Sequence, residues 1–266
     1  MRRGLLRILR ATHLIQIADQ FVAARAVHKN ARANDIYRAA HPERRFPDPA
    51  LVFEVAGHAH LQAFDESGAR DAARIASLLP NAQHARRVLD WGCGPGRVLA
   101  HMRTLLPQAE FNGCDPDPRA LASASASLPE ISFTRIGPAP PTPFAPASFD
   151  AIYGVSILTH LPEQRARVWI AELARLLDPD GAVLVTTHGA RTAERLPPEL
   201  QARFDAGDYV IRGGAKIGSR TYVSYFNEAA GRALFSPWFG DIAFHPGNAE
   251  FIQDIWVLRA PRRPSA

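Results

Sequence analysis

Three glycines at alternate positions, Gly92, Gly94 and Gly96, sit in the run Val88-Leu89-Asp90-Trp91-Gly92-Cys93-Gly94-Pro95-Gly96-Arg97. Glycine lets a chain turn sharply and lets its backbone approach a ligand with no Cβ in between. An apolar strand signal, Arg87 to Trp91, precedes this turn, and a helix signal over 97–106 follows it. That helix would direct its unpaired N–H groups toward whatever is bound. Asp90 falls near the strand end, where a carboxylate can orient the turn or meet a cation. Asp115 follows the next strand, Glu110 to Cys114. An acid there can accept hydrogen bonds from both hydroxyls of a ribose and is the usual mark of an adenosine ribose without a 2′-phosphate.

Three ligand classes compete for such a turn. A nucleotide-hydrolase phosphate loop needs Lys-Ser/Thr after its glycines, and none follows here. The dinucleotide fingerprint is G-x-G-x-x-G, whereas these glycines read G-x-G-x-G. Asp90 would also set a negative charge beside a pyrophosphate, but it suits the ammonium group of a methionine. The residues therefore favour S-adenosylmethionine over a dinucleotide. Methyl transfer from a sulfonium asks the protein to align the acceptor and, where necessary, to remove its proton.

Histidine is the natural base near neutral pH. His160 follows the fourth strand and His188 ends the fifth, which makes these two the catalytic candidates. The stretch 207–226 mixes aromatic and polar residues, and from it Tyr209, Arg212, Arg220 and Tyr222 are expected to contact the acceptor. Both arginines have the fixed donor fork that grips a carboxylate or phosphate. His245, at a later turn, is a further substrate-side candidate. His58 and His60 have no neighbouring Cys or acid cluster, so no metal site is expected.

These groups need a scaffold whose strands all end on one side. From residue 86 onward, short apolar strands alternate with helices: strands at Glu110–Cys114, 131–136, Phe149–Gly154 and 182–187, helices at Pro118–Leu128 and 165–177. This alternation predicts a largely parallel sheet covered by helices. Asp178-Pro179-Asp180-Gly181 reads as a turn before the fifth strand. Residues 192–206 carry a helix signal interrupted by Pro197-Pro198, and Glu228–Phe235 reads as a helix. Strands at 241–245 and 252–259, joined through Pro246-Gly247, should pair antiparallel because the connection is short.

The apolar fraction of 47% permits a sizeable core. The formal charge is +5, and residues 1–50 hold nine Arg and one Lys against four acids, so the remainder is close to neutral. A near-neutral body argues against a nucleic-acid footprint. Residues 5–38 read as a helix with Leu5, Leu6, Leu9, Leu14, Ile17 and Phe21 as packing residues, and 62–80 as another. The two are joined by a proline- and charge-rich linker, His41 to Pro49. Residues 1–80 thus form a helical extension and linker, followed by a domain over 81–260 with a substrate-binding insertion at about 192–226. The N-terminal helix offers a homodimer contact, or a peripheral contact with a membrane surface through Arg2, Arg3, Arg7 and Arg10. No stretch approaches the ~20 apolar residues of a membrane span. Two cysteines, Cys93 and Cys114, and no secretory leader point to a reducing, cytoplasmic setting.

The run Asp90 to Arg97 resembles the first motif of class I S-adenosylmethionine-dependent methyltransferases, and Asp115 matches their second acid. Phe149-Asp150-Ala151-Ile152-Tyr153-Gly154-Val155-Ser156-Ile157-Leu158-Thr159-His160-Leu161-Pro162 resembles their fourth-strand motif. Leu173 to Gly181 resembles the entry to their fifth strand. The likeness covers roughly residues 86–260 and is of the small-molecule or saccharide type, with methyltransferase types 11 and 12 as the similar subgroups. It implies a Rossmann-like α/β fold: a seven-stranded, mostly parallel sheet of order 3-2-1-4-5-7-6 with strand 7 antiparallel. It also implies that Asp90 and Gly92, Gly94 and Gly96 hold the methionine end, that Asp115 holds the ribose, and that Gly154 to Ser156 line the cofactor pocket. The acid or amide that many relatives carry after the third strand is replaced by Ile136-Gly137-Pro138-Ala139, which leaves adenine to backbone and apolar contacts. Methylation of DNA amino groups is disfavoured, because Gly154-Val155-Ser156-Ile157 stands where those enzymes have Asp/Asn-Pro-Pro-Tyr. The expected activity is methyl transfer to oxygen or nitrogen of a small molecule or saccharide. The alternatives are a non-catalytic cofactor-binding module in a glycan assembly system and an RNA methyltransferase. The stretch His245-Pro246-Gly247, followed by Gln253-Asp254-Ile255-Trp256-Val257-Leu258, resembles a subgroup often found beside sugar-transfer and polysaccharide genes. The first alternative draws on the long N-terminal extension and the undefined base, the second on the basic N-terminal segment.

Overall fold

The structure, a computed structural model, describes residues 15–213 and 217–262. Three helices lead: α1 (Ile15–Ala40), α2 (Pro49–Ala56) and α3 (Leu61–Leu78). The part of the first-helix expectation that falls on residues 5–14 lies outside the described residues. One packing expectation is corrected. Phe21 is 74% exposed, as Ile36 is at 63%, because α1 reaches its neighbours through Asn34 and Tyr37. The Asn34 side chain donates to Ala59 O (2.8 Å) and accepts from Leu61 N (2.9 Å).

The main sheet is built from β1 (Arg87–Trp91), β2 (Glu110–Asp115), β3 (Ser132–Arg135), β4 (Phe149–Gly154), β5 (Leu177–Thr187), β8 (Phe239–His245) and β9 (Asp254–Pro261). Between β5 and β8 in the chain lies a short antiparallel ribbon, β6 (Val210–Arg212) with β7 (Val223–Tyr225). The sheet order is β3-β2-β1-β4-β5-β9-β8. Strands β1 to β5 pair in parallel, and β9 runs antiparallel to both β5 and β8. This is the expected seven-stranded order with an antiparallel last strand. The helices are α4 (Leu99–Leu105), α5 (Pro118–Ser127), α6 (Glu163–Leu176), α7 (Ala190–Ala193), α8 (Pro198–Asp205) and α9 (Glu228–Phe235). Asp117 caps α5 by accepting from Arg119 N (2.9 Å), and Asn227 caps α9 by accepting from Ala230 N (3.0 Å).

Strand alternation sends neighbours to opposite faces. Leu89, Trp91, Ile152 and Val185 meet Trp169 and Leu173 of α6 and Phe235 of α9 on one face. Val88, Tyr153, Leu184 and Val257 meet Leu99 and Met102 of α4 and Ile75 of α3 on the other. Helix α3 therefore belongs to a core layer. A Cβ at Gly68 would lie 2.3 Å from Arg97 O, so only glycine lets α3 come this close to the chain after the glycine turn. Asp65 ties four segments together: it accepts from Tyr37 Oη (2.8 Å), from Arg44 (2.7 and 2.5 Å) and from His101 Nε2 (3.0 Å).

One turn is absorbed. Asp178–Gly181 is part of β5, across a register shift that pairs Phe149 with Leu177 and then Ala151 with Ala182. Gly181 fits there because its Cβ position lies 2.6 Å from Asp150 O. Strand order reverses between β1 and β4, and this is where an open α/β sheet forms a crevice at its C-terminal edge.

Candidate active site

The crevice at that switch point is lined by the turn after β1, the end of β2, the segment after β4, helix α2 and the loop before β7. Asp90, Gly92, Gly94, Asp115, Ser156, His160 and Arg220 all face it, together with Glu54, Val55, Arg97, Ile157 and Gly218.

The glycine turn is held against β2 by backbone bonds: Gly92 N and Cys93 N both donate to Cys114 O (2.8 and 3.0 Å). Gly92 has φ 75°, and a Cβ there would lie 2.1 Å from Ile157 Cδ1. Gly94, with φ 53°, donates its N–H to Asp115 Oδ2 (2.9 Å), while Asp117 N donates to Asp115 Oδ1 (2.8 Å). Asp115 is thus the acid that orients the turn, a task the sequence offered to Asp90. Its two carboxylate oxygens have about four lone-pair sites. Two of these hold backbone, which leaves one on each oxygen for a diol. Burial pushes the Asp115 carboxyl up, and its two backbone bonds oppose that shift.

Asp90 is 3% exposed, and burial pushes its carboxyl up to about 7; the Tyr153 hydroxyl and, less, the Arg97 guanidinium pull the other way. That guanidinium is itself paired with Asp71 (2.5 Å). A buried carboxyl on a pocket wall whose burial outweighs both partners is a site for a cation. Gly96 and Gly154 serve packing behind the lining. Their Cβ positions lie 3.1 Å from Leu128 Cδ1 and 2.6 Å from Trp91 Cε3, and the wall itself begins at Val155.

Ser156 has φ 65°, a left-handed conformation that costs a non-glycine residue energy. Its N–H donates to Thr186 Oγ1 (2.8 Å), and its Oγ accepts from Gln253 Nε2 (2.7 Å). His160 ends a 3₁₀ turn, Leu158–His160. Its Nδ1–H donates to Tyr222 O (2.8 Å), because a carbonyl can only accept. The lone pair therefore sits on Nε2, and burial lowers the ring's pKa. Arg220 lies over the Phe53 ring at 4.7 Å.

His188 lies outside the lining. Its ring stacks on Tyr225 at 5.1 Å, and its Nε2 lies 3.3 Å from the Gln253 amide nitrogen. Burial pushes its pKa down to about 4. Tyr209 turns inward: its hydroxyl donates to Leu161 O (2.9 Å) and its ring stacks on Phe226. Tyr222 is buried and offers its carbonyl to His160. Arg212 on β6 and His245 at the end of β8 also lie outside the lining. Glu54, Val55 and Gln253 carried no local signal, since the first two sit in the N-terminal extension and the last in a connector. Arg97 could have been read from its place directly after the glycines.

The sequence profile of a methyltransferase domain matches residues 88–181. A trans-aconitate 2-methyltransferase from Klebsiella pneumoniae is 34% identical over 200 residues, covering 69% of this chain and 76% of that one. The enzyme of the same name from Methylobacterium nodulans is 30% identical over 173 residues, 62% of each chain. For the Methylobacterium radiotolerans counterpart the match spans 45% of its length, so about half of some of these relatives is represented. An O-methyltransferase family protein from Burkholderia thailandensis shares the fold at 16% identity, with TM-score 0.55 over 76% of this chain and 60% of that one. Glycine turn, strand-end acid and sheet order together define the Rossmann-like fold of this class. The chain belongs to the class I S-adenosylmethionine-dependent methyltransferase family.

Proposed function

We propose that this protein transfers the methyl group of S-adenosylmethionine to a carboxylate oxygen of a small organic acid. The observation that carries the reading is Arg220, a guanidinium stacked on Phe53 in the wall of the same pocket as Asp90 and Asp115. Arginine is the side chain best shaped to hold a carboxylate through paired donors. Relatives named for trans-aconitate, a carboxylic acid, agree with this acceptor class.

The cofactor supplies an electrophilic methyl group on a sulfonium. In our assignment Asp90, Gly92 and Gly94 hold its methionine end, Asp115 its ribose, and Ser156 the adjoining wall, with Gly96 and Gly154 giving these segments their approach. The acceptor's lone pair forms the new O–CH3 bond as the S–CH3 bond breaks, and the bonding pair stays on sulfur. A carboxylate has no proton to lose, so this reaction needs alignment and no base. His160, with its proton held by Tyr222 O, presents Nε2 as an acceptor for a hydroxyl or acid proton elsewhere on the substrate, and His188 supports the wall from behind.

A saccharide hydroxyl is the second reading. It would need a base, and His160 is favoured for that task because its anchored Nδ1–H leaves Nε2 as the basic atom. Labelled cofactor with a panel of small acids and sugars separates the two. Methyl esters are released by mild alkali and methyl ethers are not. Label that survives alkali would refute carboxylate methylation.

No helix among the described residues is long and apolar enough to cross a membrane. For the exposed side of α1 we favour an anionic membrane surface over the homodimer. Phe21, Val22 and Ile36 are exposed there beside Arg25, Lys29 and Arg32, and two copies would set those cations against each other. Sedimentation with anionic vesicles tests this, and a concentration-dependent dimer with no vesicle binding would reverse it.

A further inference from the structure

Two side chains near the start of β9 bond to the C-terminal end of β5, Gln253 and Trp256, and Gln253 reaches the segment after β4 as well. Trp256 Nε1 donates to Thr187 Oγ1 (2.9 Å). Asp254 Oδ1 accepts from Gly247 N (2.8 Å), which pins the connector between β8 and β9. Gln253, at the end of that connector, joins three residues that no sequence pattern links.

The direction of each bond in this group follows from its donors. Ser156 N–H donates to Thr186 Oγ1 (2.8 Å), so the Thr186 hydroxyl proton is left to donate elsewhere. It goes to Gln253 Oε1 (2.6 Å). The amide is placed with its oxygen toward Thr186. The Nε2 protons then point to Ser156 Oγ (2.7 Å) and His188 Nε2 (3.3 Å). With the amide so placed, His188 Nε2 accepts, which assigns its proton to the buried Nδ1. Ser156 meanwhile occupies a left-handed conformation on the pocket wall: Thr186 and Thr159 hold its N–H (2.8 Å) and carbonyl (2.6 Å), and Gln253 holds its hydroxyl in the direction that faces the pocket.

We propose that Gln253 is a positioning residue that holds Ser156 in its pocket-facing conformation and fixes the tautomer of His188. It acts on bound cofactor only through Ser156, so the inference rests on the cofactor reading above. The ionisable groups around His188 are His160 and, across Gly189, Asp254, whose Oδ2 would touch a Cβ placed at Gly189. Tyr225 covers one face of the ring.

The test uses S-adenosylhomocysteine as probe, titrated calorimetrically into wild type, Gln253→Leu and Gln253→Glu, with histidine ring NMR on all three. Leucine keeps the bulk and removes every bond. We expect its Kd to rise about tenfold, the size of one lost hydrogen bond, beyond any drop in ligand-free unfolding temperature from the unpaired Thr186 hydroxyl. Glutamate keeps an acceptor for Thr186 and lets the Ser156 hydroxyl reverse and donate, so affinity should return to within about threefold of wild type. Its carboxylate beside Nε2 should also raise the His188 titration by at least about one pH unit, a change that mere loss of packing would not produce. Wild-type affinity in Gln253→Leu, or an unmoved His188 titration in Gln253→Glu, overturns the proposal. If Gln253→Leu does not fold, Gln253→Glu decides alone. Failure of wild type to bind the probe would instead bring down the cofactor reading, and the Ser156 arm with it.

Discussion

Asp115→Asn is the most informative single substitution. The native carboxylate accepts Gly94 N at 2.9 Å and Asp117 N at 2.8 Å. An amide can satisfy only one of them, and its NH2 then faces the other donor. Oriented to keep Gly94, it turns away Asp117 N, which lies near the surface where water can serve it, so the fold should lose only about 1 kcal/mol. The ribose loses more. One of the two carboxylate oxygens that could take a hydroxyl becomes a donor, and a hydrogen bond to a charged group contributes about 1.5–3 kcal/mol. At about 1.4 kcal/mol per decade, S-adenosylhomocysteine should bind roughly 10- to 100-fold more weakly. Calorimetric titration of wild type and variant, with thermal unfolding of each without ligand, measures both quantities. A Kd within about threefold of wild type at unchanged stability would refute the ribose assignment. A collapse in stability larger than the loss of affinity would make Asp115 chiefly a loop anchor.

Three further outcomes follow from the same geometry. Burial holds Asp90 at about 7, above its unfolded value, so the folded apoprotein retains a proton that the unfolded chain has already lost. Its contribution to stability is therefore present at low pH and lost as pH rises through about 7. A cationic ligand should release that proton, and calorimetry near pH 6.5 in buffers of different ionisation enthalpy should show net release in wild type and less in Asp90→Asn; proton uptake would contradict the reading. Arg220→Ala should raise KM for a small acid such as trans-aconitate at least about tenfold while leaving S-adenosylhomocysteine affinity within about threefold, and a loss confined to cofactor binding would move Arg220 to the cofactor side. Gly92→Ala meets both a left-handed backbone at φ 75° and Ile157 Cδ1 at 2.1 Å, so it should cost about 2 kcal/mol or more of stability; adding Ile157→Ala should recover the steric part only, and an unchanged unfolding temperature in the single variant would refute the close approach.

The cofactor half of the site was legible because its parts are close in sequence and each carries its own signal. The glycine turn lies between a strand and a helix, and Asp115 ends the next strand in the same unit. Strand alternation and length then implied a parallel sheet, and a resemblance to known motifs supplied its order. The acceptor half was harder to read. His160 and His188 look equivalent as residues after strand ends. Only the folded chain sets His160 Nε2 toward the pocket and places the Gln253 amide on His188 Nε2. Tyr209 and Tyr222 read as contacts for a substrate because aromatic and polar residues alternate there, yet their polar atoms hold the His160 turn in place.

What the sequence determined by itself was therefore local: where the chain turns, which acid follows which strand, which helices have an apolar side. Those properties depend on backbone conformation and on residues a few positions apart. Tertiary structure decided which distant segments share a wall. Glu54 and Val55 reach the crevice because α2 and α3 pack across the chain after the glycine turn, with Gly68 against Arg97 O. Gln253 reaches Ser156, 97 residues away, because β9 pairs antiparallel with β5 in a register that sets Asp254 opposite Thr187. A register slip of one residue would send Ile255 and Trp256 to opposite faces, so these contacts come from sheet packing and leave no periodic trace in the chain.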